Sequence, residues 1–414
     1  MPTPNKKWDV HSHCFTLQHV PEDFFSSAPG GKAFLKISRL DNFWNKVGVG
    51  IITSKIGLGL IGLFDRFQRE QLQRLKNLLV YKDIDKQVAL VVEELKQYSK
   101  TKYFGHAPVN LVLLPMDMDF MEAGAPQKSY LEQLEELKAV KQAYGDQVKI
   151  FLHTDPRRIA ADPQFLAIHL PLFGTLYSGF KLYPTLGYYP FDKRLKPVYD
   201  FAVANNYPIL SHVSYGPVYR RKNLDTRPHP ITKQLFFRPD KPEIAQQNFA
   251  HPLNYECLLN PVILSQHWQE AVDYSSLKIN MAHFGGPTDW EAYHKNRKKL
   301  SKRKFAGSPD PLDINNNWFD GNRFYWYEVI KALIVKYPNV YTDIAFTLTE
   351  KSSQEFNEEI AKLLPDPKIG SRILYGTDYY VVASEEKFSE VLRMNYTDNM
   401  LDQMCIINAG TFLS

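Results

Sequence analysis

The sequence predicts an α/β fold in which eight parallel strands alternate with helices and close into a (β/α)8 barrel. Two observations predict it. Eight short segments are almost continuously apolar and rich in β-formers, which is typical of strands covered on both faces. Segments with helical spacing lie between them, which indicates βαβ units. The predicted strands are residues 7–13, 109–117, 147–153, 177–184, 207–214, 277–284, 339–346 and 372–380.

The helical pattern is clearest in "SYLEQLEELKAVKQAYG", which follows the second predicted strand. Leu131, Leu134 and Leu137 recur at helical spacing along one stripe. Ser129 and Glu132 have the spacing of a capping box at the start of this helix. "KRLKPVYDFAVANN" and "FYWYEVIKALIVKYP" repeat the helical spacing between later strands. The rhythm of strand and helix favours a closed barrel over an open sheet.

The intervals between the predicted strands are uneven. Residues 14–108, 215–276 and 285–338 are each longer than a connecting helix needs. We therefore predict one domain over 1–414, a TIM barrel with a large helical insertion after strand 1 and long loops after strands 5 and 6. The insertion, 22–105, is expected to be helical, apolar and lid-like. Extra structure in the βα loops would wall the catalytic face of the barrel.

Composition and charge are those of a globular enzyme rather than a nucleic-acid-binding protein. The chain has 414 residues, of which 44% are hydrophobic and 23% are charged, and its formal net charge is +5. The basic stretch 295–304 accounts for that excess, because without it the chain is slightly acidic. A broad nucleic-acid surface is therefore excluded. The stretch itself is expected to be a solvated face, with an anion or partner contact as the alternative.

The cysteines and the N-terminus favour a cytoplasmic protein. Cys14, Cys257 and Cys405 show no paired spacing, which argues against a disulfide framework and a cysteine zinc site. No apolar secretory signal is visible at the N-terminus. Residues 47–64 are strongly apolar, but Lys55 and several glycines disfavour a spanning helix. A buried hairpin or lid is expected there, with a membrane-surface contact as the alternative.

Polar residues lie at the ends of several predicted strands. Residues at i and i+2 of a strand face the same side, so the two histidines of "DVHSH" can bind one ion. Single histidines from two other strands and one carboxylate complete a nitrogen and oxygen shell that suits a divalent metal such as zinc. A single histidine in an apolar strand is usually a core residue satisfied by backbone, but an ordered set favours a metal site. The set is His11, His13, Lys181, His212, His283 and Asp378.

These motifs resemble a known family. "DVHSH", "GFKLYP", "PILSH", "MAHFGG" and "LYGTDY" are similar to the motifs of the amidohydrolase superfamily of metal-dependent TIM-barrel hydrolases, most of all its amidohydrolase-related branch. The resemblance covers the first strand and the chain from about residue 175 onward, and leaves 22–105 outside. The polymerase-and-histidinol-phosphatase class also begins with two such histidines but lacks the late "GTD" strand.

The resemblance implies roles for the strand-end residues. His11, His13, His212 and Asp378 correspond to metal ligands, and Asp378 also to the catalytic proton carrier. His283 corresponds to a histidine that binds a second metal in some members and contacts substrate in others. Lys181 corresponds to a lysine that is carboxylated and bridges two metals in binuclear members. An ion pair or a substrate-contacting amine is the alternative for Lys181. One or two divalent ions are implied, zinc first, with manganese as the alternative.

The predicted activity is metal-dependent hydrolysis of an amide, ester or lactone of a small molecule. A divalent metal makes hydroxide available near neutral pH and polarises a carbonyl, and Asp378 can take up the proton. The alternative is a metal-dependent decarboxylase or other lyase acting on a carboxylated substrate, and the second alternative is a non-catalytic binding barrel. A homo-oligomer is compatible with the sequence.

Candidate substrate residues follow the fifth predicted strand. Tyr215, Arg220 and Arg221 fall in a βα loop, where an arginine can clamp a carboxylate or phosphate. Surface salt bridges are the alternative for these arginines. Asp343 ends the seventh predicted strand and is a candidate for orienting a metal-binding histidine.

Overall fold

The computed structural model describes residues 6–22, 84–86, 88–89, 109–214, 228–234, 247–300, 310–314, 324–347, 353–378 and 396–414. Eight strands form one parallel sheet in which each strand pairs with the next along the chain. They are β1 (Lys7–His13), β2 (Val109–Leu114), β3 (Val148–His153), β4 (Tyr177–Leu182), β5 (Ile209–Ser211), β6 (Ile279–Met281), β7 (Val340–Asp343) and β8 (Ile373–Leu374).

Helices lie between the strands, as the spacing predicts. After β2 come α1 (Tyr130–Tyr144), then α2 (Pro156–Ala161), α3 (Phe165–His169) and α4 (Lys196–Asn205). The long connection between β5 and β6 contains α5 (Gln247–Ala250), α6 (Leu253–Leu259) and α7 (Pro261–Trp268). The later helices are α8 (Pro287–Leu300), α9 (Trp326–Lys336), α10 (Ser353–Leu363), α11 (Asp398–Asp402) and α12 (Ala409–Leu413).

Two backbone hydrogen bonds join the last strand to the first. The amide of Val10 donates to the carbonyl of Tyr375 at 3.0 Å, just beyond β8. The amide of Asp378 donates to the carbonyl of His11 at 2.8 Å. These bonds bring the eighth strand back to β1, so the predicted barrel is confirmed.

The barrel encloses a closed apolar interior. Leu114, Phe151, Leu210, Tyr341 and Leu374 belong to one buried cluster contributed by five different strands. Residues Ala409, Phe412 and Leu413 of α12 join the same cluster. Burying each large apolar side chain is worth about 1.5–3 kcal/mol, so this interior holds the strands together below the polar residues at their ends.

The capping signals of α1 are confirmed. The backbone N–H of Ser129 donates to Glu132 Oε2 at 2.7 Å, and the backbone N–H of Glu132 donates to Ser129 Oγ at 3.3 Å. Leu134 and Leu137 are buried on the predicted stripe, whereas Leu131 is exposed at 39%. The buried stripe therefore begins at Tyr130 and continues through Leu134 and Leu137, and leaves out Leu131.

The insertion is only partly covered by the described residues. Within 23–108 the structure describes only 84–86 and 88–89, where Ile84 and Val88 are buried and helical. The apolar stretch 47–64 therefore stays a prediction. Among the described helices, none combines the length and the apolar composition that crossing a membrane requires. All three cysteines of the chain are buried and free.

A buried histidine outside the barrel mouth generates a prediction about acid stability. His229 Nδ1 accepts the backbone N–H of Thr232 at 3.1 Å and that of Ile231 at 3.3 Å, and its Nε2 lies 3.4 Å from Asn254 Oδ1. Burial lowers the pKa of His229 to about 3. Below pH 6.5 the imidazole binds a proton in the unfolded chain, whereas in the folded chain it stays neutral down to about pH 3. The free energy of unfolding therefore decreases as the pH is lowered from about 6.5 to about 3.

We predict that His229→Asn reduces this loss. Asn keeps an acceptor for the two backbone N–H groups but has no proton to take up. Between pH 7.5 and pH 5, the free energy of unfolding in urea should fall by about 2 kcal/mol less in the variant than in the parent protein. Equal losses in the two proteins would contradict the buried neutral state of His229.

Candidate metal centre

Three buried side chains from the first and last strands converge at the barrel mouth. His11 and His13 end β1, and Asp378 lies beyond β8. Asp378 Oδ1 lies 3.3 Å from His13 Nε2 and 3.6 Å from His11 Nε2. The ligand atoms of the three residues are all within 4.8 Å of one another, a separation at which one ion can contact all of them.

The Nδ1 atom of each histidine on β1 is held by a hydrogen bond. His11 Nδ1 lies 3.1 Å from Asp343 Oδ2, and His13 Nδ1 lies 3.3 Å from the carbonyl oxygen of Leu114. Both acceptors select the tautomer with the proton on Nδ1, which leaves the Nε2 lone pair facing Asp378. This is the orientation in which protein histidines bind metals.

The remaining two histidines lie beside this group. His283 Nε2 is 3.1 Å from His212 Nδ1, and the rings of His11 and His283 are 4.8 Å apart between centroids. His283 Nδ1 donates to the carbonyl of Ala345 at 3.0 Å, so its Nε2 accepts the proton of His212 Nδ1 and the lone pair of His212 Nε2 is left for the site. The ring of Tyr183 stacks on His212 at 4.4 Å. The structure therefore brings together all four histidines that the sequence selected.

Burial keeps three of these imidazoles neutral, those of His13, His212 and His283. Desolvation, followed by repulsion from Lys181 and from neighbouring histidines, holds the pKa of His13 well below 6.5. Desolvation and then His283 do the same for His212, and burial lowers the pKa of His283 to about 4. A neutral imidazole is the form that ligates metals.

The donor set fits a divalent metal. Within the described part of the chain, His11 Nε2, His212 Nε2 and Asp378 Oδ1 are buried and have no hydrogen-bond partner. Burying polar atoms without hydrogen-bond partners costs free energy of folding. A cation placed among these atoms would accept the lone pairs of the two imidazoles and balance the charge of the carboxylate. Imidazole nitrogen with one carboxylate oxygen suits zinc and manganese alike.

Asp343 is positioned to orient the site rather than to bind metal. Its Oδ2 accepts from Asn280 Nδ2 at 2.8 Å and from His11 Nδ1, and its Oδ1 accepts the backbone N–H groups of His283 at 2.9 Å and Ala345 at 3.1 Å. Burial by itself opposes ionisation, but His11 and His283 hold the pKa of Asp343 well below its usual value. Its lone pairs are thus occupied by donors from β1, β6 and β7.

Asp9 ties the first and last strands together beside the histidine pair. Asp9 Oδ1 accepts the backbone N–H of His11 at 3.0 Å and that of Thr377 at 3.1 Å, and its Oδ2 accepts from Thr377 Oγ1 at 2.5 Å. Gly376 allows this close approach, because a Cβ there would lie 2.8 Å from His11 Cβ. The "DVHSH" and "GTD" motifs therefore pack against each other.

Lys181 lies on the inner face of β4 and has a neighbour that sequence reasoning missed. Its Nζ is fully buried, 5.7 Å from the Tyr183 ring centroid, and burial lowers its pKa to about 8. His153, its pairing partner on β3, is also fully buried. The signal was present, since "QVKIFLH" is another apolar strand that ends in histidine.

The structure gives no test of the predicted substrate residues. Tyr215, Arg220 and Arg221 fall outside the described residues, so their clamp stays a prediction. The described chain resumes at 228–234, whose His229 packs against Tyr189 rather than at the metal centre.

Comparisons with known proteins give matches among solved structures alone. No protein-family model matches the chain, and a search of curated proteins found no match. Among solved structures, an uncharacterised TIM-barrel protein from Bordetella bronchiseptica is 13% identical, with a TM-score of 0.44 and coverage of 99% of this chain and 98% of that one. The fold is a TIM barrel. Its eight parallel strands in chain order and their closure establish this independently.

Two further structures are similar to this barrel. A 5-carboxyvanillate decarboxylase from Novosphingobium aromaticivorans, complexed with manganese, is 11% identical, with a TM-score of 0.48 and coverage of 99% of this chain and 96% of that one. A protein described as amidohydrolase II is 14% identical, with a TM-score of 0.44 and coverage of 99% of both chains. At these identities the likeness concerns the fold alone.

We predict that Asp343→Asn weakens metal binding. An amide in this position can donate to His11 Nδ1, which would move the histidine proton to Nε2 and block that ligand atom. Loss of a partner of this kind costs roughly 10–100-fold in metal affinity. The dissociation constants for zinc and manganese, measured by chelator competition, check this prediction.

Asp289→Asn is the matched control for Asp343→Asn. Asp289 is also buried and accepts two backbone N–H groups, those of Trp326 and Tyr327, both at 3.1 Å. Its substitution should leave the metal affinity within about twofold of the parent. An equal loss in both variants would point to general destabilisation instead of an effect on His11.

Proposed function

We propose that this chain is a metal-dependent enzyme of the amidohydrolase superfamily that decarboxylates a small carboxylated substrate. The observation that carries the metal assignment is the convergence of His11 Nε2, His13 Nε2 and Asp378 Oδ1 in a buried mouth. The family motifs, in strand order, support the same assignment. A non-catalytic barrel is disfavoured because every ligand position keeps a ligating side chain.

One ion is the stoichiometry that we infer. A second arrangement of potential ligands, His11, His283 and Asp343, is also within 4.8 Å. Asp343, however, already accepts four hydrogen bonds, which include one from the same His11. We therefore propose His11, His13, His212 and Asp378 as the ligands and keep His283 for the substrate. When bound, the metal supplies positive charge that orients and polarises a substrate oxygen.

The charge of the site favours an anionic substrate. Because imidazoles bind metals in their neutral form, the fixed charges of the protein around a bound metal would be Lys181, Asp343 and Asp378. A divalent ion added to these makes the mouth net positive, and low-dielectric walls strengthen its attraction for an anion. A carboxylated substrate fits this charge better than a neutral amide. The choice of reaction rests on this charge, because the decarboxylase named above is too distant to carry it.

Two residues can hold or move the proton. Loss of carbon dioxide leaves an electron pair on the substrate carbon, and a proton must be delivered to that carbon. His283 reaches the site through the hydrogen bond between its Nε2 and His212 Nδ1, and Asp378 Oδ1 is a buried carboxylate oxygen without a hydrogen-bond partner among the described residues. Both are candidate proton carriers, in keeping with general acid catalysis by a positioned side chain.

Hydrolysis of an amide, ester or lactone is the second candidate. The observation that favours it is Asp378 Oδ1 itself, a buried acceptor that can take a proton from an attacking water. The same ligand set serves both reactions. A test of function must therefore offer both carboxylated substrates and amides, esters or lactones.

Metal removal and restoration test the proposed function. Purified protein should bind close to one equivalent of zinc or manganese after dialysis against chelator and reloading. The reloaded protein should release carbon dioxide from members of a panel of hydroxylated aromatic carboxylates, and the chelated protein should not. Turnover of amides or lactones alone would replace decarboxylation by hydrolysis. Less than about half an equivalent of either metal would contradict the metal centre.

We predict that Asp378→Asn abolishes turnover and preserves the fold. An amide can neither take up nor release a proton near neutral pH, and it offers the metal no negative charge, so kcat should fall by at least about 100-fold. Asp200→Asn, on the exposed face of α4, is the control and should retain full activity. Circular dichroism melting checks the fold of both variants. Retained activity in Asp378→Asn would remove Asp378 from the mechanism.

A further inference from the structure

His153 and Lys181 form an adjacent pair on the inner wall of the barrel. They are pairing partners at the ends of β3 and β4. Phe151, two residues before His153, belongs to the interior cluster, and its partner Gly179 faces it so closely that an added Cβ would lie 2.6 Å from the Phe151 ring. Because side chains alternate along a strand, His153 and Lys181 face the interior as well.

The ring of His153 is held in one tautomer. The backbone N–H of Asp117 donates to His153 Nδ1 at 2.5 Å, so Nδ1 is the acceptor nitrogen. The proton of the neutral ring therefore lies on Nε2. Within the described part of the chain, this Nε2 is buried and has no hydrogen-bond partner. The hydroxyl of Tyr130 also donates to the carbonyl of His153 at 2.9 Å, which fixes the backbone behind the ring.

Lys181 presents a second donor without an acceptor. Its Nζ is buried, and among the described residues it has no hydrogen-bond partner. Of the nearby carboxylates, Asp343 is occupied by four donors, and Asp378 turns its Oδ1 toward the Nε2 atoms of His11 and His13, where the metal is proposed to bind. Leaving a buried donor unsatisfied costs about 1–3 kcal/mol, and more when it is charged. Two such donors on neighbouring strands indicate a place for an anion.

We propose that His153 Nε2–H and Lys181 Nζ form a subsite for a second carboxylate of the substrate, next to the metal centre. This inference rests on the proposed function and deepens it, because it makes the substrate at least a dianion. The metal centre, built from β1, β5 and β8, takes the reacting end. The wall of β3 and β4 holds the other carboxylate, which anchors the substrate and does not react.

Binding of benzene carboxylates tests this subsite. Benzoate and the three benzenedicarboxylates are titrated into manganese-loaded protein by calorimetry, with benzamide as the neutral control. We expect one dicarboxylate to bind at least about tenfold more tightly than benzoate, a difference equivalent to about 1.4 kcal/mol. Equal binding of benzoate and all three dicarboxylates would overturn the subsite while leaving the metal centre in place.

Matched variants assign the two donors. In His153→Asn, an amide oxygen takes the place of Nδ1 as the acceptor of the Asp117 N–H, but no donor replaces Nε2–H. In His153→Gln, the longer side chain places an amide donor near the position of Nε2. The advantage of the dicarboxylate should vanish in His153→Asn and in Lys181→Met, and persist in His153→Gln. Benzoate affinity and the bound manganese, close to one equivalent, should stay unchanged in all three. Lys181→Gln serves in place of Lys181→Met if the latter does not fold.

Three results would overturn the inference. The first is a dicarboxylate advantage that survives in both His153→Asn and Lys181→Met. The second is a carbamate on Lys181, detected by carbon-13 NMR with labelled bicarbonate, because a carboxylated lysine is an anion and would repel the ligand. The third is failure of the protein to bind manganese and benzoate at all, which would overturn the proposed function together with the subsite.

Discussion

A single buried carboxylate determines where the reactive side chains of this barrel point. Asp343 ends β7 and accepts hydrogen bonds from the His11 ring, the Asn280 amide and the backbone of His283 and Ala345. It therefore fixes a ring on β1, a side chain on β6 and the backbone after β6 with one charged group. In a buried site such charge-assisted bonds are strong, and their loss would release several groups at once.

The same bonds stabilise a strained backbone. His283 has φ +69°, Phe284 +47°, Phe346 +61° and Asp378 +56°, values that favour glycine. Strain of this kind costs of order 1–3 kcal/mol per residue and persists only where surrounding contacts enforce it. At His283 the backbone N–H is held by Asp343 and the ring by Ala345, and at Asp378 the backbone N–H is held by His11. Strain and hydrogen bonding together aim the side chains at the mouth.

The sequence was informative about the fold because near-continuous apolar runs directly record burial on both faces. Polar residues at strand ends meet at one end of a parallel barrel, which is why the structure brings the four predicted histidines and Asp378 together. The simple period of two fails at β1, however. Trp8 and Val10 lie in the interior cluster, yet His11 and His13 also reach the mouth, because the register shifts between Asp9 and Ser12. A bulge of this kind depends on pairing with β2, which sequence spacing does not reveal.

His153 was missed for a related reason. Its tautomer depends on a backbone N–H contributed by the segment after β2, and its neighbour Lys181 is adjacent only through the sheet register. The predicted length of β6 is too great, because the backbone turns to positive φ at His283, two residues beyond Met281. Strand ends that turn in this way extend the apolar pattern beyond the last ladder hydrogen bond.

The buried cysteines have a practical consequence for spectroscopy. Cys14, Cys257 and Cys405 are at most 1% exposed, and burial raises the pKa of each thiol, which disfavours the reactive thiolate. In the folded protein the natural cysteines should therefore react only slowly with thiol-directed labels. One cysteine introduced on the rim of the barrel could carry a spin label or fluorophore, and would report distances to a paramagnetic ion without removal of the natural residues.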